Sequence, residues 1–424
     1  MLHVTRRPAL RVSFATLLIL QQVESISAND WPSWRGPLRN GIAGQESGLQ
    51  SEWSEKGPEL KWQIDGLGRG YSSIAIAGGR IFTMGKRRAG CELIALDLKT
   101  GRELWSTPVG GGDPNCTPTV DGSLVYALGR EGDLVCADVA SGNVVWKKSF
   151  PKDFGGSMMS GWGYSESPLV DGDQLVCTPG AKDAVVVALD KKTGATIWKS
   201  AMPDDVGDRG RDGAGYSSIV ISHAADVKQY VQLTGRGVIS IDAADGTPLW
   251  TYNRIANGTA NIPTPLISGD SVFCSTGYGT GAALLKIERE GSGLVAREVY
   301  FLDAKKMQNH HGGMIAHAGH IYCGHGHNNG FPLCINIATG EEVWSGGRGP
   351  GGGSAAILLA DGHLYFRYED GTMALIEATP ESYNLKGVFK LATSNGKSWP
   401  HPVIVDGLLY ARDQNALLCY DIRK

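Results

Sequence analysis

Five stretches of this chain repeat one pattern. "LIALDLKTGRELW" ends at Trp105, "LVCADVASGNVVW" at Trp146, "VVALDKKTGATIW" at Trp198, "VISIDAADGTPLW" at Trp250 and "PLCINIATGEEVW" at Trp344. Each is an apolar run, an acidic or amide residue, a tight turn with Gly, and a second run closing on an aromatic ring. Two looser copies, "ALLKIEREGSGLVAREVY" ending at Tyr300 and "MALIEATPESYNLKGVF" ending at Phe389, carry longer turns. An eighth, "LLCYDIRK", stops before its last strand. Upstream of each copy lies a second hairpin, with turns such as "VDGSLVY", "ISGDSVF" and "LADGHLY". Asp-Gly and Gly-Asp between apolar runs are hairpin signals. A four-strand unit recurring every ~40–50 residues buries its faces only against copies of itself.

The repeat therefore predicts an all-β chain, an eight-bladed β-propeller of four-stranded antiparallel blades over residues 59–424. "ELKWQID" (Glu59–Asp65) supplies the strand the eighth copy lacks, with Trp62 where the repeat Trp belongs. Pairing N- and C-terminal strands in one blade closes the ring and removes its open edges. The periodic Trp residues read as packing between blades. The 59 glycines suit so many turns.

Ahead of the repeats, Arg6, Arg7 and Arg11 precede the apolar run Val12–Leu20, and a small-residue site ends at Ala28. This predicts a signal peptide over 1–28, then an extension over 29–58 holding "WPSWRGP" (Trp31–Pro37). No other apolar run is long enough to span a bilayer. The mature chain is expected to be soluble and exported, periplasmic or extracellular, with no transmembrane segment. No Cys near the leader offers a lipid anchor. A formal net charge of -3 without a basic stripe argues against nucleic acid as a partner. Of the eight Cys, Cys136, Cys177, Cys274 and Cys419 sit in apolar runs and read as buried thiols. Cys323 and Cys334 fall on neighbouring strands and are a candidate disulfide.

A propeller sorts its loops. Connections between blades, and loops joining the second and third strands of a blade, open on one face, here called upper. The short hairpin turns open on the lower face. Long, unusual loops such as "FPKDFGGSMMSGWGYSES", "MQNHHGG", "GHGHNNGF" and "SNGKSWPHP" all fall on the upper face, where a site is expected. His310, His311, His325 and His327 should converge there and are candidate ligands for a divalent metal, since imidazole suits zinc, copper or nickel. His317 and His320 flank a lower turn and should lie far away. "PDDVGDRGRDG" lacks EF-hand spacing. No G-x-S-x-G elbow supports a serine nucleophile.

The "ALD-x-x-TG-x-x-x-W" repeat resembles the PQQ-like, quinoprotein-type propeller repeat, and "WPSWRGP" is similar to an element of exported PQQ-like proteins. Two branches inform the resemblance. The PQQ-dependent alcohol dehydrogenases carry PQQ and a metal on the propeller axis; the outer-membrane-assembly lipoproteins are scaffolds for protein partners. If the first holds, Trp162, Tyr164 and Trp399 are candidate floor residues for PQQ. Arg348, Arg367 and Arg412 are candidates for its carboxylates, bidentately, and Glu166 or Asp413 for a catalytic base. The chain departs from both branches: it lacks the adjacent Cys pair of the dehydrogenases and the anchoring Cys of the lipoproteins. "GYSS" and "GYSES" recur at Tyr71, Tyr164 and Tyr216, which suggests packing where the chain enters a blade. The expectation is a binding or interaction scaffold that takes a protein, glycan or small-molecule ligand on its upper face. The alternative is a PQQ- or metal-dependent oxidoreductase with its site on that face.

Overall fold

The computed structural model describes Met1 and residues 30–88 and 90–424. The expected signal peptide lies outside the described residues apart from Met1. The described residues form eight antiparallel blades of four strands, seven as separate sheets and one extended to five strands. In each blade the first strand lies innermost. Ala75–Ala77, Thr119–Asp121 and Leu169–Asp171 touch in succession, as do Leu266–Ser268, Met314–His317 and Ala355–Ala360, around a central axis. Middle strands such as Asp133–Asp138 are buried on both faces, because each blade is sandwiched between two others, and so read as unbroken apolar runs. Outer strands such as Val144–Ser149 are half open to water.

The repeat motif has a direct structural meaning. Its Asp fixes the turn: Asp97 Oδ1 accepts from Thr100 N (2.8 Å) and Oγ1 (2.7 Å), and Asp138 and Asp190 do the same for Ser141 and Thr193. Such Asx turns are why Asp opens the loop. The following Gly101, Gly142 and Gly194 have φ of 66°, 72° and 72°. Gly142 and Gly194 each lie under an aromatic ring of the preceding blade, whereas Gly101 lies against Ile64 with the Trp62 ring beyond it. A methyl group on Gly142 would sit 2.6 Å from the Trp105 ring, and one on Gly194 2.8 Å from the Trp146 ring. Gly246 under Trp198 and Gly340 under Tyr300 repeat the contact. The indole then reaches across the joint: Trp105 Nε1 donates to Val139 O and Trp146 Nε1 to Lys191 O, both at 3.1 Å. The periodic Trp are inter-blade packing, as expected from the sequence.

Ring closure follows the expected scheme. Glu59–Ile64 pairs antiparallel with Ala416–Asp421, and Trp62 lies opposite Cys419. Gly57 sits under Phe389, the ring that ends the seventh copy, so the divided eighth blade also has its turn glycine.

The eight cysteines are all buried and free. Cys323 and Cys334, the candidate disulfide, are a correction. Cys334 pairs in register with Tyr322 and Cys323 with Leu333, so the two side chains leave opposite faces of the sheet. Cys323 packs toward blade five and Cys334 toward blade seven.

The segment ahead of the ring does something no repeat residue does: it enters the axial channel. Trp31 exchanges two 2.8 Å backbone hydrogen bonds with Ile76 of the innermost strand of blade one, and Val120 N of blade two donates to Pro32 O (2.8 Å). The chain turns over Ser33–Gly41 and descends beside blade seven, where Ile42–Ala43 runs parallel to Leu359–Ala360. It leaves at the lower hairpin turns. There Glu46 accepts from Asp406 N and Gly407 N at 2.9 Å each, and Leu49 N donates to Asp361 Oδ2 (2.8 Å). Arg39 reaches sideways, donating to Ser167 O (2.6 Å) and Pro168 O (3.0 Å) at blade three. Both limbs enter from below, so the segment is a looped plug.

Candidate functional site

Above the plug the channel widens into a funnel of about 570 Å³ on the upper face. Segments leading into every blade but the seventh line it, together with Arg130, Tyr278 and His327 from loops between second and third strands. Trp34, at the tip of the plug, is part of its lining. Trp399 stacks on Tyr71 with centroids 4.4 Å apart and meets His311 edge-on at 4.3 Å. Trp162 stands nearly half exposed at the mouth, edge-on to Tyr216. Trp34 and His401 meet edge-on at 5.4 Å.

Three histidines converge, as the loop sorting implied. His310 stacks on His311 at 3.6 Å and His327 lies 4.3 Å from His310. His310 is fully engaged: Nδ1 shares a 2.8 Å hydrogen bond with Ser354 Oγ, and Nε2 a 3.2 Å one with Tyr278 OH. Burial, reinforced by His327 and Lys397, pushes the His310 imidazole down to about 3. His401, buried beside Arg35, is also pushed down to about 3, and burial holds His311 well below its ordinary value. These rings are neutral at neutral pH. His325 does not join them. It ends the strand His320–His325, where its Nδ1 accepts from Gln308 N (3.1 Å) outside the funnel. His317 and His320 pair across the lower turn. Among the described residues no three His, Cys, Asp or Glu side chains are placed to hold a metal ion.

The other sequence candidates divide. Trp162 and Trp399 line the funnel. Tyr164 is buried and donates to Pro179 O (2.9 Å), a packing role. Arg348 is exposed on its loop. Arg367 donates to Ser398 O (2.7 Å) and Arg412 O (2.9 Å) and lies 3.6 Å from Asp413. Arg412 donates to Gln414 O and Thr83 Oγ1 (2.7 Å each) and Gly68 O (2.9 Å), tying blade eight to blade one. Asp413 accepts from Asn395 N (2.9 Å) and Thr393 Oγ1 (3.1 Å). Glu166 accepts from Thr178 N (2.6 Å) and Oγ1 (2.9 Å); burial pushes its carboxyl up to about 8, against the pull of Thr178 and Arg39. Arg367, Arg412 and Asp413, near the ends of second strands, fasten blades together, whereas Glu166 lies on the segment entering blade three and bonds within that blade.

Sequence reasoning missed Trp34, Arg35, Tyr71, Tyr278 and His401. "SWPHP", in a loop already assigned to the upper face, was the available sign of His401. For Trp34 and Arg35 the sign was a doubly Trp-bearing segment outside the repeat. Among the described residues lining the funnel Asp113 is the one carboxylate, lying 3.5 Å from Arg69 and 3.6 Å from Lys86.

Comparison with known proteins gives a consistent placement. The outer membrane protein assembly factor BamB of Burkholderia pseudomallei is 28% identical over 195 residues, 43% of this chain and 44% of that protein. The chain thus spans less than half the length of this curated relative. The crystal structure of BamB from Moraxella catarrhalis superposes with a TM-score of 0.59 at 14% identity, over 86% of this chain and 99% of that one. A quinohemoprotein alcohol dehydrogenase from Comamonas testosteroni gives 0.63 at 12% identity, over 93% and 80%. At such identities these two structures speak for the fold alone. A family profile described as outer membrane protein assembly factor BamB matches residues 89–346, more than half of the chain. With the eight-bladed ring and its recurring Asp–Gly–Trp signature, the chain belongs to that family of PQQ-type propellers.

Proposed function

We propose that this propeller is an exported binding module that takes a small, ring-bearing ligand in its axial funnel. The funnel itself carries the reading. It is closed from below by the chain's own N-terminal segment, and its volume of about 570 Å³ falls among small-molecule pockets. Trp34, Trp399 and Tyr71 offer flat faces, and neutral imidazoles and hydroxyls surround them with hydrogen-bonding groups. Kinship with proteins named as assembly factors favours binding over catalysis. Export rests on the Arg-rich, apolar and small-residue order of 1–28.

Trp162 and Trp399 line the funnel, but the charged residues nominated for PQQ do not reach it. Arg348, Arg367 and Arg412 lie outside the funnel, Glu166 and Asp413 are fastened behind its wall, and Asp113 is held by Arg69 and Lys86. No step is derived through them.

The test is direct. Methyl glucoside and benzamide are titrated into the protein while its tryptophan fluorescence and melting temperature are followed. Protein from its native compartment is weighed by native mass spectrometry. At least one ring solute should quench and stabilise, and Trp399→Ala should abolish the response. No response to either solute, with no added mass on the native protein, would overturn the reading.

A further inference from the structure

The guanidinium groups buried around the axis are of two kinds. Arg39 has the carboxylate of Glu166 within electrostatic reach, and Arg367 and Arg412 have Asp413. Arg35 has no acidic neighbour among the described residues; burial alone pulls it down, to about 9, so it remains charged at neutral pH. It is 2% exposed. Nη2 is used, donating to Asn40 O (3.0 Å) and Met314 O, whereas Nη1 and Nε have no partner. A guanidinium only donates and does not shed its proton to escape burial. The Trp34 ring, 5.5 Å from the guanidinium carbon, gives a cation–π contact, but a buried charge with no carboxylate to balance it is costly to keep.

Its position gives that cost a use. Gly313 lines the funnel, and a methyl group there would sit 3.0 Å from Arg35 Nη1 and 3.2 Å from His401 Cε1. Arg35 does not itself line the funnel, but with only hydrogen at Gly313 no side chain separates the buried, unpaired Nη1 from the funnel floor. Trp399 Nε1, another donor without acceptor capacity, is likewise buried and unpartnered on the lining. Lys397 Nζ lies 6.0 Å from the Trp399 ring and adds positive potential. Donor-only groups and an unbalanced cation set among neutral rings call for an acceptor that brings negative charge.

We propose that the floor of the funnel is an oxyanion subsite in which Arg35 and the Trp399 indole N–H bind the carboxylate of a small ring compound. This rests on the reading of the funnel as a binding site and adds the charge of what it binds.

The experiment compares benzoate, its neutral analogue benzamide, and inorganic phosphate on the full mature chain, by fluorescence quenching and thermal shift. Benzoate should bind more tightly than benzamide. Arg35→Met should weaken benzoate by about tenfold or more and benzamide by clearly less. Trp399→Phe, which keeps the ring and deletes the donor, should weaken benzoate selectively even if Arg35→Met fails to fold. Phosphate binding that also depends on Arg35 would show that any oxyanion suffices, still in support. If benzamide binds as well as benzoate, the subsite is wrong and the funnel reading stands. If benzoate binds Arg35→Met like the wild type, water satisfies the guanidinium and the subsite is wrong. If neither solute binds, both readings fall.

Discussion

The joints between blades and the axis of the ring are built by opposite rules. At a joint, one aromatic residue lies on one turn glycine, an Asp caps that turn, and the arrangement recurs around the circle. Along the axis nothing recurs. A single segment supplies Trp31, Trp34, Arg35 and Arg39, and its two arginines bond to carbonyls 129 and 279 residues away. Repetition secures the scaffold; individuality is concentrated where the repeat stops.

The largest expected effect tests the closure both regions depend on. A chain beginning at Gly66 lacks both the plug and Glu59–Ile64 and leaves the eighth blade with an open edge. It should fail to melt cooperatively by circular dichroism. A chain beginning at Ser51 keeps the closing strand and loses the plug. It should stay folded but melt lower, without the response of the funnel to ring solutes. Equal melting of these two chains would show that the plug, rather than the strand, holds the ring.

The next effect separates strain from clash at the joints. Gly142→Ala and Gly194→Ala combine a left-handed φ with a methyl driven into an indole, and each should cost about 2–3 kcal/mol in urea unfolding. Gly122 has φ 55° and open space around it, so Gly122→Ala should cost about 1 kcal/mol. Equal losses at all three sites would mean that the aromatic lid contributes nothing.

A smaller effect is the response of the axis to pH. His310 and His401 are pushed down to about 3 in the folded chain from 6.5, so below 6.5 the unfolded chain binds more protons and stability falls as the solution is acidified. Each contributes a slope of about 1.4 kcal/mol per pH unit at most. Glu166 acts in the other direction: raised from 4.5 to about 8, it makes the fold lose stability as pH rises through that window. Between 6.5 and 8 it acts without those two histidines. Glu166→Gln should flatten the stability curve there, steepen the acid limb between 4.5 and 6.5, and leave it unchanged below 4.5. An unchanged curve in Glu166→Gln would mean that the carboxyl is ionised in the fold. The smallest effect is expected on the outer surface. Arg297 pairs with Glu288 and Glu290 in water at 2.9 Å each, and Arg297→Ala should leave the melting temperature unchanged. A clear drop would show that charge also matters at the rim.

This contrast also explains what the sequence made legible. The joints write themselves into the chain because each needs the same Asp, Gly and aromatic ring at fixed spacing; even the divided blade could be read from Trp62. The upper-face histidines were separable from His317 and His320 because loop order alone decides the face. His325 was misplaced because it ends a strand rather than rising into the loop: the ladder pairs it with Phe331, and its ring accepts from Gln308 N. Arg367, Arg412, Glu166 and Asp413 were placed in the site because a charged residue looks the same in sequence whether it faces a cavity or bonds to a neighbouring backbone group. The plug was invisible for a further reason. Its contacts are single-copy and long-range, and no local pattern records them.

Because the plug is a loop pushed in from below, no free end is threaded through the ring. It can also seat after the eight blades have joined. Asp30 consequently stays at the lower face, where its carboxylate accepts from Gly78 N at a hairpin turn of blade one (3.4 Å). Asp30, where this described stretch begins, thus lies on the side opposite the funnel mouth. A tether at this end, to a membrane or to a bead on a sensor chip, would hold the ring like a bowl on a stem, its opening turned outward to the medium.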